Sequence, residues 1–151
     1  MSPSVFLGGS CGTTDWRATK AIPLLNAGHV AFYNPLVADW KPELVAIEAK
    51  AKEEAACLLF IIDGETRGIA SMLEALSQAG LGRRVFVCCD DIPDGTVIEG
   101  QTVTGRELKD LNRARAYFRD EIQNHKTATF RGNTESAVGA AIYYIQGLAN
   151  G

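Results

Sequence analysis

The chain has 151 residues, 46% of them hydrophobic, and a formal charge of -3. That length suits one domain spanning 1–151, with a core large enough to need no disulfide or metal staple. Acids and bases interleave, so no basic stripe is available to neutralise a phosphate backbone, and nucleic acid is excluded as a partner. No apolar run approaches the roughly 20 residues that span a bilayer, and no basic segment leads into one, so a cytoplasmic protein with no membrane partner is expected. The four cysteines, Cys11, Cys57, Cys88 and Cys89, show neither CxxC spacing nor a secreted disulfide framework. Cys57 and Cys88 read as small core residues, and no metal site is expected.

In chain order, Val5 to Leu7 reads as a strand, Trp16 to Ala27 as a helix capped by Thr14 or Asp15, and Val30 to Tyr33 as a second strand. Pro42 suits the opening turn of a second helix running to Ala55, whose buried stripe is predicted to be Leu44, Ile47, Ala51 and Ala55. Cys57 to Ile62 is apolar throughout, the pattern of a central parallel strand covered on both faces. A helix from about Ile69 to Gly80–Gly82 leads into a fourth strand, Val85 to Cys89, after which Pro93, Gly95 and Gly100 break the chain. Thr104-Gly105-Arg106-Glu107 has capping-box spacing and opens a long polar helix to about Asn124. Ala128 to Phe130 reads as a short fifth strand. The last helix, Glu135 to Leu148, is predicted to face inward with Ala137, Ala140, Ala141, Tyr144 and Leu148.

Strands alternating with helices predict an α/β fold: a flavodoxin-like or Rossmann-like doubly wound sandwich, with a parallel sheet of about five strands flanked by helices. In such sheets ligands bind beyond the carboxyl ends of the strands, where the strand order reverses, so the residues after each strand carry the information.

After the first strand comes Gly8-Gly9-Ser10-Cys11-Gly12-Thr13-Thr14, a turn whose glycines let backbone N–H groups approach a ligand closely. It is neither a G-x-G-x-x-G fingerprint nor a P-loop. After the second strand, Tyr33, Asn34, Asp39 and Trp40 combine aromatic faces, an amide and a carboxylate, groups suited to stacking on a base and reading its edge. Trp40 suits a hydrophobic lid equally well. After the third strand stand Asp63, Glu65 and, on the following helix, Met72 and Glu74. Carboxylates clustered there can be driven apart in pKa by desolvation and mutual repulsion, which separates a nucleophile from a proton donor, as cleavage of a glycosidic bond requires. Read structurally, Ser71-x-x-Glu74 is also a capping-box pattern, and Arg67 pairs with Asp63 or Glu65 in a solvated loop. Arg17 and Lys20 suit either a phosphate or the surface.

With those residues in view the chain resembles the nucleoside 2-deoxyribosyltransferase family, in its compact deoxyribosyltransferase-like branch. The matching pieces are Phe6-Leu7-Gly8-Gly9-Ser10, Trp16-Arg17, Tyr33-Asn34-Pro35, Asp39-Trp40-x-Pro42-Glu43-Leu44, and Leu59-Phe60-Ile61-Ile62-Asp63 with Ser71-Met72-x-Glu74, together covering about Val5 to Pro93. The resemblance implies that Glu74 is a nucleophile forming a glycosyl-enzyme, that Asp63 is the acidic position at the strand end, and that Gly8, Gly9, Asn34, Asp39 and Trp40 line the base or sugar; with the acidic cluster it makes Asp63 the second catalytic candidate, as proton donor or acceptor. Ser10 and Met72 join them as candidate substrate contacts. It also implies a homo-oligomer acting on a small-molecule nucleoside or nucleotide, without a cofactor. Water as acceptor makes such an enzyme a hydrolase; a second base makes it a transferase. Two positions depart from the family pattern: Phe6 stands where a tyrosine often supports the nucleophile, and Leu76 where a glycine often follows it. The alternative these departures raise is a non-catalytic nucleotide-sensing module on the same fold.

Overall fold

The structure, a computed structural model, describes residues 2–12, 14–36, 39 and 41–150. Strand β1 (Ser4–Gly9) runs through a π-helical turn (Arg17–Ala21) into α1 (Ile22–Ala27) and then β2 (Ala31–Tyr33). Helix α2 (Leu44–Glu54) precedes β3 (Cys57–Ile62), and α3 (Ile69–Gly80) precedes β4 (Val85–Cys89). A hairpin of β5 (Thr96–Ile98) and β6 (Gln101–Val103) follows, then α4 (Gly105–Gln123), β7 (Ala128–Phe130) and α5 (Thr134–Asn150).

Five strands form one sheet in the order β2-β1-β3-β4-β7, every neighbouring pair parallel. This is the predicted flavodoxin-like arrangement. Alternation along each strand sends one set of side chains to each face. Val5, Leu7, Leu59, Ile61 and Phe86 pack with Leu25, Val138 and Ile145 of α1 and α5. Phe6, Leu58, Phe60, Ile62 and Val87 pack with Met72, Ala75, Phe118 and Ile122 of α3 and α4. All six residues of β3 are fully buried, as its unbroken apolar run requires. At roughly 1.5–3 kcal/mol for each large apolar side chain removed from water, this strand anchors the molecule. Among the described residues no helix is long and apolar enough to cross a membrane.

Several local expectations are corrected. The first helix runs from Trp16 to Ala27 as predicted but is π-helical over Arg17–Ala21: Pro23 has no N–H to donate, and Ile22 N–H reaches back five residues to the Arg17 carbonyl. In α2 the predicted stripe is rotated, with Ile47 52% exposed while Glu48 and Lys52 turn toward the sheet beside Ala51 and Ala55. In α5 Ala137 and Ala141 are buried as predicted and Ala140 and Tyr144 pack half-buried against the same core, but Val138 and Ile145 complete the inner face and Leu148 lies 46% exposed. The capping box at the start of α4 does not form. The Thr104 hydroxyl donates to Asp94 Oδ1 at 2.8 Å, and Glu107 pairs with Arg67 at 2.8 Å. Where the glycines and Pro93 read only as breaks, the chain folds a two-residue hairpin, with Glu99 at φ 50° and Gly100 at φ 80°. Positive φ at both central residues is what a right-twisted hairpin turn needs. Ile92, Ile98 and Val103 give this segment its own small core against Leu108 and Leu111.

Gly9 ends β1 at φ +110°, and a Cβ there would meet the Ile61 carbonyl and lie 2.6 Å from the Ile61 amide nitrogen. Gly12 has a similar φ of +102° with nothing within 4 Å. The pair separates torsional strain from collision. Gly12→Ala should lose about 1–2 kcal/mol of stability from strain alone, and Gly9→Ala a further ~2 kcal/mol or more because backbone must move, read as the difference between their urea midpoints. Burial pushes the thiols of Cys57 and Cys88 up to about 12 and raises that of Cys89 as well, whereas Cys11 is exposed. A disulfide reagent at pH 8 should therefore titrate one thiol per native chain, and all four only in denaturant.

Candidate active site

The chain leaves β1 and β3 toward opposite sides of the sheet, so a crevice opens beyond their carboxyl ends. A cavity of about 680 Å³ occupies it. One wall is the end of β1 and the loop after it, from Gly8 to Gly12, with Phe6 and Arg17. The opposite wall is the loop into α3, from Glu65 to Ser71, with Glu74 one turn further. Pro35 and Leu36 close one side with Glu48 of α2, and the hairpin brings Ile98 and Glu99 over the other.

The first loop is held from within by an arginine. Arg17, 3% exposed, donates from Nε to the Leu7 carbonyl at 3.2 Å, from Nη1 to Ser10 at 2.7 Å and from Nη2 to Gly9 at 3.4 Å. The Ser10 carbonyl also accepts Trp16 Nε1 at 3.0 Å, and the guanidinium lies 4.4 Å from the Trp16 ring centroid. Burial lowers the Arg17 pKa, and the nearby thiol and carboxylates partly restore it. Its donors are thus committed to carbonyls and to the Cys11 sulfur, 3.6 Å from Nη2, and its task is to shape the loop. Lys20 lies 3.9 Å from Glu135 on the surface.

The loop after β3 is fixed in the same way. The buried Ser10 hydroxyl accepts the Asp63 N–H at 3.1 Å and lies 2.6 Å from the Thr66 hydroxyl, joining the two loops. The Asp63 carboxylate accepts the Thr14 hydroxyl on one oxygen and the Glu65 N–H on the other. Arg115 of α4, wholly buried, donates to the carbonyls of Asp63 (2.7 Å), Asp90 (2.5 Å), Thr66 (2.6 Å) and Arg67 (3.1 Å). One side chain thus ties α4 to the ends of β3 and β4 and to the loop that enters α3. Arg67 turns outward and bonds Glu107 and Gln101 rather than Asp63 or Glu65.

Glu74 stands in the second turn of α3 with its side chain 37% exposed, and its Oε1 lies 2.7 Å from Lys52 Nζ. The Lys52 ammonium sits 5.3 Å from the Phe6 ring centroid, and Phe6 stacks on Tyr33 at 5.7 Å with an 11° interplanar angle. Of the four carboxylates in the cavity wall, Glu48 and Glu74 are half-buried while Glu65 and Glu99 are exposed.

The structure therefore brings Gly8, Gly9, Ser10 and Glu74 together in one cavity. Gly8 and Gly9 belong to β1 itself, paired with Phe60 and Ile61, and the loop proper begins at Ser10. Asp63 lies behind the wall with its carboxylate engaged. Met72 faces the core, 6% exposed, because it occupies the inner stripe of α3 with Ala75 and Ala79. The Asn34 side chain accepts the Leu36 N–H at 3.1 Å, a local turn that points Pro35 and Leu36 at the cavity. Asp39 is exposed, and Trp40 lies outside the described residues. Lys52, Glu48, Arg115 and the hairpin were not anticipated as site components. A signal for the first two existed: positions 48, 51, 52 and 55 share one helical face.

A family profile described as "Nucleoside 2-deoxyribosyltransferase like" matches residues 2–92. It spans β1 through β4 and Glu74, and ends before the hairpin and α4. No curated protein sequence matches the chain. Among solved structures, a crystal structure of a conserved protein from Enterococcus faecalis V583 is similar at 14% identity and a TM-score of 0.55, covering 97% of this chain and 99% of that one. At that identity the likeness speaks for the fold.

Removing the Arg115 guanidinium leaves four carbonyls at the loop without their donor. Arg115→Met should therefore lose about 3 kcal/mol or more in urea unfolding. Arg113→Met, at an exposed position of the same helix, should stay within about 0.5 kcal/mol of the parent.

Proposed function

We propose that this chain, which belongs to the nucleoside 2-deoxyribosyltransferase-like family, breaks the N-glycosidic bond of a (deoxy)nucleoside or nucleotide with Glu74 as nucleophile. The observation that carries this reading is a half-buried carboxylate lining the same cavity as the Gly8–Gly12 segment, at the switch point of the sheet. Family membership supports nucleoside N-glycosidic chemistry, and the cavity supplies a place for it.

In the proposed sequence a Glu74 oxygen attacks the anomeric carbon as the C–N bond breaks, and the base leaves with the electron pair of that bond and a proton. The glycosyl ester is then attacked by water or by a second base, and the pair returns to the carboxylate. Glu48, the other half-buried carboxylate of the wall, is the candidate to deliver the proton to the leaving base and to take one back from the attacking water or second base. Asp63, bound to Thr14 and to the Glu65 N–H, serves by fixing the two loops. Gly8, Gly9 and Ser10 offer close backbone approach to the sugar, and Pro35 and Leu36, turned by the Asn34 side chain, border the base. We take the protein to work in the cytoplasm as a homo-oligomer, without a cofactor.

The second reading, a nucleotide-binding module without turnover, is favoured by one observation: the ring of Phe6 brings no hydroxyl to Glu74. Incubation with a panel of deoxynucleosides, ribonucleosides and their monophosphates, with and without a free base, separates the two. Glu74→Ala should lower base release by about 10³-fold or more, as removal of a nucleophile does. Equal nucleotide affinity in the parent and Glu74→Gln, with no base released by either, would establish the binding role instead.

A further inference from the structure

We infer that Lys52 is a positioning residue for Glu74 that acts on the second half of the reaction, stabilising the carboxylate as it departs from the sugar. The inference rests on the reading of Glu74 as nucleophile.

Lys52 reaches the carboxylate from behind. Its Nζ lies 2.7 Å from Glu74 Oε1, yet Lys52 is absent from the residues lining the cavity, which include both Glu74 and Phe6. The side chain is 19% exposed, about half the exposure of Glu74, so the pair is shielded more than a surface ion pair. The ammonium also lies over the face of Phe6, 5.3 Å from its centroid, and Tyr33 stacked on Phe6 keeps that ring in place. Charge therefore reaches Glu74 where β1 offers only a hydrocarbon ring.

The consequence follows from where the electrons go. In the first step the carboxylate charge is consumed in a new carbon–oxygen bond while the C–N bond breaks toward the base, and the ion pair is weakened. In the second step the acceptor's oxygen or nitrogen bonds the anomeric carbon, the ester carbon–oxygen bond breaks, and its electron pair restores the carboxylate beside the ammonium. Lys52 thus opposes formation of the glycosyl-enzyme and favours its breakdown, because it binds the charge present at the end of the second step. A neutral donor at the same place would bias both steps less.

The test compares parent, Lys52→Met and Lys52→Arg on a deoxynucleoside that the parent turns over, by rapid quench with intact-protein mass measurement. The parent should release base without a burst and carry no sugar adduct. Lys52→Met should release a burst approaching one base per chain, accumulate the adduct, and then turn over about 10- to 100-fold more slowly. Lys52→Arg should behave like the parent. Unchanged kinetics in Lys52→Met, slower release without a burst or adduct, or an equal burst in the parent would overturn the inference while leaving Glu74 as nucleophile. If Lys52→Met fails to fold, Phe6→Leu removes the ring beneath the ammonium and should shift the burst in the same direction, and no shift would overturn it. A parent that releases base from no substrate removes the glycosidic reading itself, and this inference with it.

Discussion

A guanidinium buried away from water needs fixed acceptors, and Arg115 places its two terminal nitrogens on four carbonyls drawn from the residues just after β3 and β4 and from the loop into α3, with Nε left unpartnered among the described residues. Burial lowers its pKa, and the carboxylates of Asp63, Asp90 and Asp91 counter that pull together with the Cys89 thiol. Such a group is costly to desolvate, so it organises the backbone around it more than it adds net stability. The path from Gly68 into α3 is set by those bonds, and Glu74 inherits its position from that path. One of the cavity's two half-buried carboxylates is thus placed by a residue 41 positions further along the chain.

Arg17 applies the same physics to the other wall. Both loops of the cavity are held by arginines bonded to main-chain oxygens, and Ser10 joins the loops through Asp63 and Thr66. Hydrogen-bond donors that face a ligand site need not serve the ligand. Here two cations at the crevice maintain its shape, while Lys52 is paired with a carboxylate of the cavity wall, Glu74.

The strand order and the two-sided burial of β3 were legible because continuous apolar runs admit few alternatives. The cavity wall of Gly8, Gly9, Ser10 and Glu74 was legible because parallel sheets gather the residues that follow their strands. What escaped has specific causes. Arg115 interrupts the stripe of Leu111, Phe118 and Ile122, and in a helix with so many charges it reads as one more exposed base. The hairpin escaped because glutamate is unusual at its first turn position. The Thr104 and Glu107 pattern misled because charged partners more distant in sequence, Asp94 for one and Arg67 for the other, took the groups that a local cap would have used. In α2 the apolar residues outnumber the positions that face the sheet, so the pattern alone placed Ile47 inside and left Lys52 out.

The hairpin turn at Glu99 and Gly100 lies beyond the stretch shared with the family, yet Ile98 and Glu99 border the same opening as Glu74. The two sides of that opening therefore come from separate stretches of sequence, and the hairpin rests on a small core of its own. Residues at its tip are free to vary in size and charge without disturbing the sheet.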